Sequence, residues 1–180
     1  MKVVETILNG LVVIETDIFQ DERGSFTKIF HKDFFKQNNI TSNIFLENYF
    51  SISHKNVIRG MHFQTPPEDH EKIVYVTKGS ITDVVVDIRK NSPTYGKYQV
   101  MEISDKNHRI IFIPKGFAHG FLSLEDDTCV VYLQTTMYSK ENDTGIRYDS
   151  FGMDWDVENP IISKRDQGFQ KLEDFITPFI

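Results

Sequence analysis

Apolar side chains recur at every second position through much of this chain. Val74 and Val76 follow Lys72, Val130 and Tyr132 precede Gln134, and Phe117, His119 and Phe121 alternate with smaller neighbours. Each set falls on one face of an extended strand. The pattern predicts strands over residues 3–7, 11–15, 44–53, 57–63, 72–77, 80–88, 98–103, 109–113, 119–124 and 128–135, with a further extended stretch over 25–30. Asp21-Glu22-Arg23-Gly24 and Ser92-Pro93-Thr94-Tyr95-Gly96 read as turns, and Lys78-Gly79 as a short hairpin connection. A short helix is expected over 32–37, stopped by Asn38-Asn39, and another near 171–175 in a loop-rich tail. Many short strands with little helix predict an all-β sandwich or jelly roll, formed as a single domain over residues 1–180.

Composition narrows the class. Hydrophobic residues make up 39% and charged residues 26% of the 180, the balance of a folded globular chain. A net charge of −6 argues against nucleic acid or an anionic membrane surface as partner. The single cysteine, Cys129, cannot form an internal disulfide and sits in an apolar run, so it reads as an inert core thiol in a reducing compartment. No stretch approaches the roughly 20 apolar residues that cross a bilayer, and the first residues lack the apolar run of a signal peptide; the cytoplasm is the expected location.

If the alternating faces turn inward, Lys72, Tyr132 and His119 converge with His62. Each has an ordinary explanation alone. A strand histidine is most often a hydrogen-bonded structural residue, a lysine snorkels outward, a tyrosine fills a core edge. Asp166, in Ser163-Lys164-Arg165-Asp166, looks like part of a solvated charge cluster. Arg23 and Arg59, each followed by glycine, suit either close anion binding or plain surface turns. The joint pattern is more specific than any member.

His62-x-Gln64 with Lys72-x6-Gly79, and Pro114-x-Gly116-x2-His119 downstream, resemble the two cupin motifs, with Gln64 and Lys72 standing where metal ligands are usual and Ser123 where the second motif ends in asparagine. An ammonium cannot ligate a cation, so acid–base chemistry without a metal is expected. The chain further resembles the dTDP-4-dehydrorhamnose 3,5-epimerase family through Phe19-x-Asp21-x-Arg23-Gly24-x-Phe26, Arg59-Gly60-Met61-His62, Asp83-Val-Val-Val-Asp87-Ile-Arg89, Ala118-His119-Gly120-Phe121, Tyr132, Tyr138, Asp154-Trp155 and Ile162-Ser163-x-x-Asp166. That resemblance implies a cupin-type jelly roll and epimerisation of a nucleotide-diphospho-4-keto-6-deoxysugar at C3 and C5 through enolates, with no external cofactor. By the same resemblance His62 is the base, Asp166 orients it, Lys72 stabilises the enolate oxygen and Tyr132 protonates the opposite face. Arg23, Arg59 and His119 would hold diphosphate and sugar, Tyr138 would line the sugar pocket, and Asp143 and Arg165 would join the substrate-binding set. A homodimer is implied, with N-terminal strands exchanged so that Arg23, Phe26 and Lys28 complete a neighbour's site.

Asp156 replaces the proline common in the family after the tryptophan. Three positions where the family reads the nucleotide also depart from its pattern: Lys28 stands where glutamate is expected, and Glu47 and Tyr49 where glutamine and asparagine are usual. Together with Phe26 these three belong to the substrate-binding set, and they leave the nucleotide open. Alternatives that share the signature are a single-centre C3 or C5 epimerase on a CDP- or GDP-linked sugar, a 3,4-ketoisomerase, and a cupin sugar-binding domain without turnover. A metal-dependent cupin oxygenase fits less well with Gln64 and Lys72.

Overall fold

The computed structural model describes every residue except Glu5. The strands are β1 (Lys2–Val4), β2 (Val12–Glu15), β3 (Ile18–Asp21), β4 (Gly24–Thr27), β5 (Glu47–Ser53), β6 (Val57–Gln64), β7 (Lys72–Lys78), β8 (Ser80–Asp87), β9 (Tyr98–Ser104), β10 (Arg109–Ile113), β11 (Phe117–Ser123), β12 (Thr128–Gln134), β13 (Asp143–Gly145) and β14 (Ile161–Ile162). Helices α1 (Lys32–Gln37) and α2 (Lys164–Gln167) and a 3-10 turn at Leu172–Asp174 complete it. One sheet runs β1-β2-β10-β7-β12-β5 and the other β13-β6-β11-β8-β9, with β14 parallel beside β6. The two sheets face each other as a cupin-type jelly roll, the expected architecture.

Period-two patterning explains both faces. Val13, Val74, Val76, Ile111 and Val130 from the first sheet meet Ile81, Val85, Ile103, Phe117 and Phe121 from the second in a buried layer between them. The alternate residues point outward and are covered as well. Ile14, Ile73, Ile110 and Phe112 lie under Phe35 of α1, and Ile58, Met61, Val84, Val86 and Leu122 lie under Trp155, Leu172 and Phe179 of the C-terminal tail. Strands buried on both faces read as near-continuous apolar runs, as Ile110–Ile113 does.

The structure corrects several local expectations. The first strand ends at Val4; the expected extension takes in Glu5, which lies outside the described residues. Strand β5 begins at Glu47, not Ile44. Lys78-Gly79 is not a hairpin, because β7 and β8 belong to different sheets; it is a corner between them, with Gly79 at φ +80° and its N–H donated to Asp105 Oδ2 at 2.8 Å. Cys129 is only half-buried. The residue 21–24 turn closes a separate hairpin, β3–β4, that pairs with no other strand among the described residues. The residue 92–96 turn is held by Asp87, whose buried carboxylate accepts bonds from Arg89, Ser92 and Thr94. Burial raises Asp87, but these donors outweigh it and hold its carboxyl below the usual range.

One irregularity matters more than the rest. His119 pairs with His62 and Phe121 with Arg59, so β6 spends one residue more than β11 between the same two rungs. This β-bulge, centred on Gly60, turns both Arg59 and His62 toward the interior, where strict alternation would send them to opposite faces. Gly60 sits at φ +132°, and a Cβ there would lie 2.5 Å from Gly120 Cα and 2.9 Å from His119 O. Gly60→Ala is therefore expected to destabilise the protein by about 2–5 kcal/mol, from backbone strain plus overpacking against an unyielding backbone. Denaturant unfolding of variant and wild type checks this; a difference within error would overturn it.

Candidate active site

The register places polar side chains in rows across the first sheet. Glu47, Gln134 and Lys72 form one row through β5, β12 and β7, and Tyr49, Tyr132 and Val74 the next. Facing them, β6 and β11 bring His62 and His119 side by side. Two adjoining cavities open between the sheets. The larger, about 340 Å³, is bordered by Glu47, His70, Gln134, Tyr138, Asp143 and Arg165 among others. The smaller, about 180 Å³, is bordered by Ser51, Arg59, His119, Phe121 and Tyr132. Tyr49, His62 and Lys72 border both and form the neck between them.

His62 Nε2 lies 2.9 Å from Asp166 Oδ1, and the other carboxylate oxygen accepts the Gly60 N–H at 3.2 Å. Local sequence explains why Asp166 reaches this far. Ile161 and Ile162 pair with Val57 and Ile58, which lays α2 beside β6, and Ser163 caps that helix by accepting the Asp166 N–H. Burial raises Asp166, yet the hydrogen bonds from His62 and Gly60 prevail and hold its carboxyl low. An ionised carboxylate only accepts, so Nε2 of His62 donates this bond and, in the neutral imidazole, Nδ1 is the nitrogen with the lone pair. Phe169 packs edge-on against the imidazole at 5.8 Å.

Lys72 is buried, with Nζ 3.5 Å from the His62 carbonyl. Burial, partly offset by Asp83 and Asp143, lowers its ammonium to about 8. Tyr132 has its hydroxyl 3.3 Å from Ser51 Oγ, and burial raises it, so the phenol stays protonated. His119 donates or accepts at Asp83 Oδ2 at 2.7 Å; burial outweighs that carboxylate and lowers the imidazole. Arg59 is tethered to β5 through Ser53 Oγ and the Ile52 carbonyl. Arg165 pairs with Asp143 at 2.7 Å.

Of the residues singled out from sequence, His62, Lys72, Tyr132, Asp166, Glu47, Tyr49, Arg59, His119, Tyr138, Asp143 and Arg165 are brought together here. Arg23, Phe26 and Lys28 are not: they lie on or just after the β3–β4 hairpin and border other surface hollows. Sequence reasoning missed Asp83, Ser51 and His70. Ser51 shares a face with Glu47 and Tyr49 by period two and was findable. Asp83 lay inside a quoted motif without a role. Nothing local flags His70, which burial and then Lys72 push down to about 3, keeping it neutral. Gln64, aligned with a metal-ligand position, is occupied by the Glu68 carbonyl and the Ser139 N–H.

Known proteins resemble this chain in sequence and in fold. The family model described as dTDP-4-dehydrorhamnose 3,5-epimerase matches residues 5–174. The dTDP-4-dehydrorhamnose 3,5-epimerase of Methanothermobacter thermautotrophicus is 41% identical over 176 residues, covering 95% of this chain and 94% of that protein. The Shigella flexneri protein of the same name is 38% identical, covering 97% of each. A crystal structure of a dTDP-6-deoxy-D-glucose-3,5-epimerase from Legionella pneumophila, in complex with dTDP-4-keto-L-rhamnose, superposes with a TM-score of 0.93 at 33% identity, covering 97% of this chain and 94% of that one. By its sequence and its fold, the chain belongs to the dTDP-4-dehydrorhamnose 3,5-epimerase family.

Proposed function

We propose that this protein epimerises a dTDP-linked 4-keto-6-deoxyhexose at C3 and C5, with His62 as base and Tyr132 as acid. The observation that carries the reading is their placement on facing sheets, with the Asp166-held imidazole on one side of the neck and the protonated phenol on the other. A ketone at C4 acidifies the C–H bonds on either side. His62 Nδ1 takes one of these protons, the C–H electron pair moves into the ring, and the carbonyl oxygen becomes an enolate. Lys72, one rung from Tyr132 in the first sheet, sits where a cation stabilises that oxygen. Tyr132 then gives its proton to the opposite face of the carbon and recovers one from solvent. Arg59 and Arg165 supply cationic groups at the cleft for the diphosphate.

The hairpin supports a homodimer. It exposes Ile18, Phe19 and Phe26, and edge strand β5, at the far side of the first sheet from β2, exposes Phe50 and Ile52. Apolar patches of this kind on a folded chain mark association surfaces. A neighbour's hairpin laid across the cleft would bring Arg23, Phe26 and Lys28 to the nucleotide end. The exchanged part is the hairpin alone, since Ile14 of β2 is fully buried in its own sheet.

Incubation with dTDP-4-keto-6-deoxyglucose in heavy water tests the reading. Two deuterons, at C3 and C5, are expected by NMR, and none from His62→Ala. A single deuteron would replace it with a one-centre epimerase, a 3-keto product with a ketoisomerase, and no uptake would overturn the dTDP substrate. Lys72→Met should lower kcat by roughly a hundredfold to a thousandfold, the cost of losing one electrostatic stabiliser. Because only the ammonium stabilises the enolate, kcat/KM of the free enzyme should fall as pH rises through about 8, where Lys72 loses its proton. A flat profile up to pH 10 would remove Lys72 from that role. Phe26→Asp should yield a monomer by light scattering and abolish turnover; a monomer with wild-type turnover would refute the shared site.

A further inference from the structure

Tyr49 and Tyr132 are direct partners across β5 and β12, and their rings stack with 4.8 Å between centroids and 16° between planes. We propose that Tyr49 is a positioning residue for Tyr132, fixing the plane of the proton-donating phenol, and that it thereby sets how many centres are inverted before the sugar leaves. The inference rests on the epimerase reading and adds a determinant to it.

The phenol needs such a support. Its hydroxyl has one hydrogen-bond partner among the described residues, Ser51 Oγ at 3.3 Å, longer than a well-formed O–H···O bond. The orientation of the ring then depends on what touches its faces and edges. The second aromatic neighbour is His119, edge-on at 6.4 Å and itself anchored by Asp83. Tyr49 supplies the face-to-face contact beside the apolar neighbours of the core, and it comes from β5, the last strand of its sheet. It is 41% exposed, so its side chain can be changed without opening the core. It also borders both cavities at the neck with His62 and Lys72, which places its ring against the same space as the reacting sugar.

The consequence for the product follows from partitioning. Once His62 has taken a proton, the enolate either recovers it on the original face or receives one from Tyr132 on the opposite face. Only the second event inverts the carbon. A tilted Tyr132 slows inversion and leaves return untouched. Two inversions are required for the full product, so a poorly held donor lets sugar leave after one.

The test uses the full chain with dTDP-4-keto-6-deoxyglucose in heavy water. Tyr49→Ala should lower kcat roughly tenfold to a hundredfold, as a small misplacement of a reacting group does, with little change in KM. It should also raise the ratio of singly to doubly inverted product. Tyr49→Phe, which keeps the ring and loses the hydroxyl, should restore the wild-type ratio. A wild-type ratio in Tyr49→Ala overturns the proposal, and so does a Tyr49→Phe variant as impaired as Tyr49→Ala, which would make the hydroxyl the active part. A second measurement is independent of turnover. Alkaline absorbance titration of Tyr49→Ala against Tyr49→Ala/Tyr132→Phe isolates the Tyr132 phenol, and the same subtraction in the Tyr49→Phe background gives the stacked reference. Tyr132 should ionise at lower pH without the ring; an unmoved titration overturns the contact. Should the wild type turn over no 4-keto sugar, the epimerase reading fails, and the titration still decides whether Tyr49 holds Tyr132.

Discussion

The site depends on one extra residue in β6 and on the carboxylate that satisfies it. A β-bulge leaves a backbone N–H without its ladder partner. Here the Gly60 N–H is taken by Asp166, the same carboxylate that accepts from His62. The bulge turns Arg59 and His62 to one face, and Asp166 locks both the bulge and the imidazole. Bonds of this charge-assisted kind are each worth about 1.5–3 kcal/mol. Asp166 is carried by the C-terminal tail, so the tail that covers the outside of the second sheet also holds a group on its inside. Stability of that sheet and readiness of the base are therefore properties of one contact.

Electrostatics in the cleft follow from burial acting on different groups. His70, His119 and Tyr132 are all buried, and burial keeps each in its neutral form. Lys72 is equally buried but has Asp83 and Asp143 within electrostatic reach, which sustain its charge up to about pH 8. Arg165 is already balanced by Asp143. The result is a cavity with a cation poised beside a neutral imidazole and a protonated phenol.

Much of this was legible in the sequence, because burial on two faces imposes period two. The alternation of Lys72 with Val74 and Val76, and of Tyr132 with Val130 and Gln134, put the correct side chains on the inner surface. Pairing across sheets was less legible. Lys78-Gly79 has the residues of a hairpin, yet its flanking strands take partners in opposite sheets, a choice made by contacts far along the chain. Asp166 was hidden for a related reason. Among Lys164, Arg165 and Gln167 it has the local look of solvated charge, and only the parallel pairing of Ile161 and Ile162 with β6 buries it. The bulge at Gly60 left one trace, a break in alternation between Ile58 and Met61, both of which face outward.

The stereochemistry of the reaction is a property of the sandwich more than of any single residue. Inversion at carbon requires removal from one face and delivery to the other. A base and an acid on the same sheet would approach a bound ring from one side and could only exchange the proton with retention. Here His62 belongs to β6 and Tyr132 to β12, and the sheets that carry them are held apart by the apolar layer at the closed end of the roll. In the proposed reaction a sugar ring lying in the neck would meet one group above and one below. Sliding Tyr132 by one residue in β12 would send its side chain to the outer face with Val131 and Leu133, so the register that buries Val130 also fixes the side of the cleft from which the proposed donor acts.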